Sequence, residues 1–228
     1  MINGKSVSAI LLIAGSSTRF NSNNNKNLEV INGIPLFLYS LKIFDQNTHI
    51  DDIVLVVKED EFSLINLELN SIQVSKKINV IIGGATRQES VFNALRVSTS
   101  DYVVIHDGAR PMIKDRYISD SLMELTNYPG TTIAVKSKDT IKISNDNDEV
   151  LDTTKRQNTW IIQTPQCFDR KILLDMHIKQ NGNPDITDDC MMLEKEGYKI
   201  KLVSGDYTNI KLTTKEDLDI IKNLISYK

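Results

Sequence analysis

The order of its apolar runs predicts an α/β fold for this chain: a mostly parallel sheet with helices on both faces, and a β-hairpin arm protruding from it. Three observations carry that reading. Short β-branched runs alternate with helix-period segments through most of the sequence. Strand–helix–strand alternation brings right-handed crossovers and therefore parallel pairing. One polar stretch, residues 136–160, breaks the pattern and holds too little apolar content to join the core.

Element by element, "SAILLIAG" (8–15), "DIVLVV" (52–57), "INVIIGG" (78–84) and "YVVIHDG" (102–108) read as buried strands, and "IKLVSG" (200–205) continues the series. Between the first two, "GIPLFLYSLKIF" has Pro35 at a favourable helix start. Between the third and fourth, "RQESVFNALRV" places Val91, Phe92, Leu95 and Val97 on one helical face. The last helix lies in "TTKEDLDIIKNLIS", where Thr213 and Glu216 have capping-box spacing and Leu218, Ile221, Leu224 and Ile225 form the buried stripe. Within 136–160, two short β-like pieces flank the polar turn "SNDND", the pattern of a hairpin arm that needs a partner. No internal repeat or interdomain linker is visible, so residues 1–228 read as one domain.

Composition narrows the function classes. The 228 residues are 40% hydrophobic and 25% charged, which suits a globular domain with a sizeable core rather than a disordered chain. A net charge of −3 argues against a general nucleic-acid binder. Cys167 and Cys190 are too few for a disulfide framework and lack metal-site spacing. The histidines, His49, His106 and His177, form no ligand cluster in sequence. No run of 18 apolar residues and no signal-peptide pattern occurs, so the expectation is a cytoplasmic protein without a membrane partner.

The chemistry concentrates at the ends of the strand runs, where parallel sheets bind ligands. After the first run come Ala14, Gly15, Ser16, Ser17 and Thr18, small residues whose amides can approach an anion, with Arg19 and Lys26 downstream. The same segment is open to reading as a Gly/Ser/Asn-rich surface loop. After the third run, Gly83 and Gly84 allow close approach to a flat ligand and Ser90 falls in the next helix's first turn; Arg87 is either a phosphate ligand or, by preference, a surface residue. In "VVIHDGARPMI" (103–113), Asp107 and Arg110 stand at the tip of a buried run. Asp107 is a natural Mg²⁺ ligand beside bound phosphates, with the alternative of an Asp107–Arg110 pair that fixes the turn. His106 reads as packed, and Met191 and Met192 as core fillers, while Thr187 and Lys211 are each open to a plainer reading, a helix cap and an exposed strand lysine.

In order, "AGSSTRF" with Lys26, "GGATRQESVFNAL", "HDGARP", "KDTIK" with Arg156, "QTPQCF", "TDD" and "NIKLTTKEDL" resemble the 2-C-methyl-D-erythritol 4-phosphate cytidylyltransferase family, from about residue 8 to 221. Ribitol-5-phosphate cytidylyltransferase is the nearest alternative, and "RQESV" and "ITDD" favour the former. Four residues depart from the family's habit: Ser17 for a second glycine, Asn25 for the proline before the lysine, Asn27 for glutamine, and Gly108 for alanine.

The resemblance implies a Rossmann-like fold and a reaction of CTP with a polyol phosphate that gives a CDP-polyol and pyrophosphate. It implies that Arg19, Lys26 and Lys211 are catalytic, and that Ala14, Gly15, Ser16, Gly84, Ser90, Asp107 and Gly108 hold the nucleotide. Arg110, Thr140, Arg156 and Thr187 would surround the polyol phosphate, Asp107 would serve Mg²⁺, and the arm would reach a second copy in a homodimer. Three other classes fit less well. A nicotinamide-dependent dehydrogenase wants a glycine fingerprint that the first turn lacks. A sugar-1-phosphate nucleotidyltransferase would share the fold but not the later blocks. A non-catalytic nucleotide-binding protein would not need to keep Arg19, Lys26 and Lys211.

Overall fold

The computed structural model describes residues 1–15, 25–180 and 185–226. Within them the strands are β1 (Val7–Leu12), β2 (Val30–Ile31), β3 (Ile34–Pro35), β4 (Asp52–Val57), β5 (Lys77–Ile82), β6 (Tyr102–Asp107), β7 (Gly130–Lys136), β8 (Lys142–Ser144), β9 (Val150–Thr153), β10 (Trp160–Asp169) and β11 (Ile200–Ser204). The helices are α1 (Leu36–Gln46), α2 (Phe62–Asn70), α3 (Arg87–Val97), α4 (Asp115–Glu124), α5 (Arg170–Lys179), α6 (Asp189–Lys195) and α7 (Lys215–Ser226). Seven strands form one sheet in the order β11-β7-β10-β6-β1-β4-β5. All its pairs are parallel except those of β10, which runs antiparallel to β6 and β7.

Period-two alternation sorts the strand residues between two cores. Val7, Ala9 and Leu11 of β1, with Ile53, Leu55 and Val57 of β4, pack against Phe37, Leu41 and Phe44 of α1 and Tyr117 and Ile118 of α4. Ile10 and Leu12 face the other way, joining Val54, Val56, Val103 and Ile105 against Val91 and Leu95 of α3, Leu173 of α5 and Met192 of α6. Helices therefore cover both faces, as the sequence led us to expect. From β1 the chain crosses to β4 and on to β5, then returns to β6 on the other side of β1. That reversal opens a crevice beyond the C-terminal ends of β1 and β6.

Several local expectations need correction. The glycine tails of the strand runs lie outside the sheet: Gly83 and Gly108 each donate one last ladder bond, to Val57 and Leu12 carbonyls, and the backbone then turns away. The third run is no buried strand; β5 is the sheet's edge, with Lys77, Asn79 and Ile82 exposed. On α3 the buried face is Ser90, Val91, Ala94 and Leu95, while Val97, the last residue of the helix, is exposed. The last helix is capped one residue later than its spacing suggested: Thr214 Oγ1 accepts from Asp217 N–H, and the Asp217 carboxylate accepts from the amides of Thr213 and Thr214. Of its apolar stripe only Ile221 is fully buried. The short helix α6 is capped by Asp188, whose carboxylate accepts from Met191 N–H, and not by Thr187.

The arm is a hairpin of β8 and β9. The Asn145 side chain closes its turn, accepting from the amides of Asn147 and Glu149. Both strands are exposed throughout, including Ile143, Val150 and Leu151.

Candidate active site

A pocket of about 490 Å³ occupies the crevice. Ala14, Gly15, Lys26, Gly84, Ser90, Asp107 and Lys211 line it, together with Asn27, Lys58, Thr86 and Arg87. Four cationic side chains therefore share the lining with one strand-end carboxylate, and Arg87 and Lys211 contact it. Ser16, Ser17, Thr18 and Arg19 lie outside the described residues.

Asp107 does not pair with Arg110. Its Oδ2 accepts from Lys211 Nζ at 2.6 Å and its Oδ1 from Arg87 Nε at 3.3 Å. Burial would raise the Asp107 carboxyl, but the charges of Arg87, Lys211 and Arg110 outweigh it and hold the group well below the usual carboxylate range. Arg110 turns instead to carbonyls, donating from Nη1 to Asn209 O at 2.8 Å and from Nη2 to Ile162 O at 3.5 Å. Burial lowers its affinity for the proton. Lys211 lies in the loop after β11 rather than on a strand, and the neighbouring Leu212 N–H donates to Ala109 O, which fastens that loop beneath the pocket.

His106 packs, as its sequence context suggested. Its Nε2 faces Arg110 O at 3.1 Å, a carbonyl that only accepts, so Nε2 carries the hydrogen and Nδ1 accepts from Thr164 Oγ1 at 2.9 Å. Thr164 Oγ1 in turn accepts from Asp107 N–H at 3.2 Å. Burial pushes His106 down to about 4, so the imidazole is neutral near pH 7 and serves to hold the turn.

Lys26 opens a 3₁₀ turn, Lys26–Leu28, and is only 9% exposed. The departures around it explain its placement. Asn25 caps the turn: its Oδ1 accepts from the Asn27 amide at 3.0 Å, and its Nδ2 donates to Ile13 O at 2.7 Å and Glu61 Oε2 at 2.6 Å. Asn27 Nδ2 adds a bond to Ile13 O at 3.0 Å. Side-chain bonds thus hold the backbone where the family habit is a proline ring. Gly108 belongs to the same packing, since a Cβ there would fall 2.4 Å from Ile13 Cγ2 and 3.2 Å from Asn27 Oδ1.

Glycine at 83 and 84 answers first to the chain itself. A Cβ at Gly83 would meet Ser90 Oγ at 2.8 Å, and one at Gly84 would meet Glu89 Cβ at 2.3 Å. Ser90 Oγ accepts from Gly84 N–H at 3.0 Å and so fixes the turn into α3. The remaining expected residues stand apart from the pocket lining. Thr140 and Arg156 lie exposed in the arm region, and Thr187 is exposed ahead of α6.

Arg87 was misplaced by sequence reasoning. It bridges Asp107 and Asp189, with Nη1 2.7 Å from Asp189 Oδ2. The missed signal is Asp189 itself, a carboxylate in the first turn of a helix whose neighbours Cys190, Met192 and Leu193 are core residues. A charge on an apolar face requires a partner.

A doubly wound sheet with a cation-lined crevice around one ionised carboxylate at the strand ends defines an α/β enzyme for anionic, phosphorylated substrates. The family model described as 2-C-methyl-D-erythritol 4-phosphate cytidylyltransferase matches residues 7–226. Relatives of that name from Clostridium novyi and Clostridium kluyveri are each 40% identical, over 220 and 223 residues, covering 95% and 96% of both chains compared. A crystal structure of 4-diphosphocytidyl-2C-methyl-D-erythritol synthase from Anaerococcus prevotii, 31% identical, superposes with a TM-score of 0.87 over 98% of this chain and 100% of that one. The chain belongs to the 2-C-methyl-D-erythritol 4-phosphate cytidylyltransferase family and is a nucleotidyltransferase. No helix among the described residues is long and apolar enough to cross a membrane.

Proposed function

We propose that this chain joins CTP to 2-C-methyl-D-erythritol 4-phosphate, giving 4-diphosphocytidyl-2-C-methyl-D-erythritol and pyrophosphate. The observation that carries the reading is the crevice at the tips of β1 and β6, which Lys26, Lys58, Arg87 and Lys211 line together with Asp107. The substrate's phosphate oxygen attacks the α-phosphorus in line and pyrophosphate leaves. A phosphate monoester is already anionic near neutral pH, so no strong general base is needed. The difficulty is bringing anions together, and catalysis is positioning plus charge neutralisation. Lys26, Lys211 and Arg19 take the phosphates in this scheme. Ala14, Gly15, Ser16, Gly84, Ser90, Asp107 and Gly108 hold the nucleotide, with the N-terminus of α3 at Thr86 favouring negative charge nearby.

Mg²⁺ fits this donor set in one way only. No group of three or more His, Cys, Asp or Glu side chains gathers to hold a metal among the described residues, and both oxygens of Asp107 already accept from cations. We therefore assign Asp107 as the single protein anchor for a Mg²⁺ carried mainly by the triphosphate. When bound, the ion would offset charge on the phosphates.

The polyol phosphate is assigned to Arg110, Thr187, Thr140 and Arg156. The last two are exposed, outside their own chain's pocket, and lie near the exposed apolar residues Ile141, Ile143 and Leu151. These features support a homodimer in which each arm completes the other copy's site. The names of the relatives favour methylerythritol phosphate over ribitol 5-phosphate. Pyrophosphate release from CTP with each polyol phosphate in turn tests this. Methylerythritol phosphate is expected to be at least about tenfold better by kcat/KM, a margin of about 1.4 kcal/mol, and the reverse order would overturn the assignment.

A further inference from the structure

Arg87 is fastened more firmly than the other cation on Asp107. Its second partner, Asp189, is 1% exposed and lies at the start of α6. Asp189 Oδ1 is also 3.4 Å from Nε2 of the buried His177 on α5, whose ring stacks on Phe92 of α3 with centroids 6.0 Å apart. One guanidinium therefore ties α3 to the strand tip and to α6. Lys211, by contrast, is carried by a loop and has no second carboxylate among its ion pairs with the described residues.

An arriving phosphate competes with Asp107 for both cations. Lys211 is free to rotate toward it on a flexible stem. Arg87 is held back, because leaving would take from the buried Asp189 its closest cation, 2.7 Å away, and leave it only the more distant His177. We propose that Arg87, anchored by Asp189, is a positioning residue of the reaction: it keeps the Asp107 carboxylate in place when Lys211 is drawn to substrate. This role rests on the cytidylyl transfer proposed above.

The test is a double-mutant cycle with Arg87→Met, Asp189→Asn and both together, plus Arg87→Lys as a milder variant. It reads kcat and both KM values by pyrophosphate release, CTP binding by calorimetry, and the melting temperature. Arg87→Met is expected to lower kcat by roughly ten- to a hundredfold, the scale of a misplaced group, with KM for either substrate within a few-fold. Arg87→Lys is expected to recover little, since an ammonium cannot fork between two carboxylates. Asp189→Asn should lower kcat less, and the double variant should be no worse than Arg87→Met alone, because Asp189 acts through Arg87. A folded Arg87→Met or Arg87→Lys enzyme with wild-type kcat would overturn the role. So would additive losses in the cycle, or a raised KM for CTP and weakened CTP binding at unchanged kcat, which would make Arg87 a direct ligand. A wild-type enzyme that releases no pyrophosphate sinks the reaction itself, whereas an active wild type beside indifferent variants sinks only this role.

Discussion

The crevice and the arm are both rich in polar and charged residues, yet the protein treats the two regions in opposite ways. At the strand tips charges are met inside the chain: Asp107 by Arg87 and Lys211, Arg87 again by Asp189, and the terminal nitrogens of Arg110 by two carbonyls. In the arm Thr140 and Arg156 are exposed, and the strands beside them bury nothing. A region organised in advance is one whose own residues set the geometry. A region left open derives its geometry from something that docks on it. On the homodimer proposed above, the difference would separate residues acting on their own chain's substrate from those that serve another copy.

Substitutions can break that contrast, and the largest effect belongs to the crevice. Lys26→Ala is expected to lower kcat by roughly 10²-fold or more, the size of one lost donor at developing charge, with the fold retained by circular dichroism. Near-full activity would remove Lys26 from catalysis. In the arm, Arg156→Ala should chiefly raise KM for the polyol phosphate. Mixing equal amounts of the Lys26→Ala and Arg156→Ala chains should then restore up to about a quarter of wild-type activity, since half of randomly paired twofold dimers are mixed and each has one intact site. No recovery after verified subunit exchange would mean that Arg156 serves its own chain or no site.

A smaller effect sharpens the account of the crevice. Asn25→Ala removes the bonds to Ile13 and Glu61 and should cost about 1–3 kcal/mol of stability, with a drop in kcat below that of Lys26→Ala. Asn25→Pro should retain more activity than Asn25→Ala, because the Asn25 φ of −67° already suits a proline ring. If the proline variant is the worse of the two, the side-chain bonds do more than fix the backbone. Smallest of all, Thr214→Ala should cost about 0.5–2 kcal/mol in a thermal melt, with kcat unchanged and with Thr213→Ala milder.

What could be read in advance was local. The bounds of β4 and α3 follow directly from "DIVLVV" and "RQESVFNALRV", whose periodicities are strong and whose ends are sharp. The half-exposed β5 reads like its buried neighbours because a run of Ile and Val does not reveal which strand will lie at an edge. The antiparallel β10 carries no local mark of its direction, since its partners β6 and β7 supply it. The candidate site was legible as a set of strand-end residues, but its pairings were not. The pair weighed as the alternative for the strand tip, Asp107 with Arg110 three positions on, does not form: Asp107 takes Lys211, while Arg87 takes Asp189, each about a hundred positions away. Sequence proximity favours the near partner; tertiary packing chose the distant ones.

Those distances have a consequence for how the protein is made. The contacts that set the crevice join residues 104, 102 and 99 positions apart: Lys211 to Asp107, Arg87 to Asp189, and Arg110 to Asn209. Such contacts close only after large loops have been ordered, which slows folding. On the ribosome β1, β4, β5 and β6 emerge with their hydrophobic pattern complete, and Arg87 with them, while Lys211 and the Ile162 and Asn209 carbonyls that reach Asp107 and Arg110 are still unsynthesised or within the exit tunnel. The sheet can therefore begin to collapse long before the crevice exists. A nascent chain stopped near residue 200 would hold most of its core and none of its Lys211 or Asn209, and its strand tip would carry an aspartate short of one partner and an arginine short of a carbonyl.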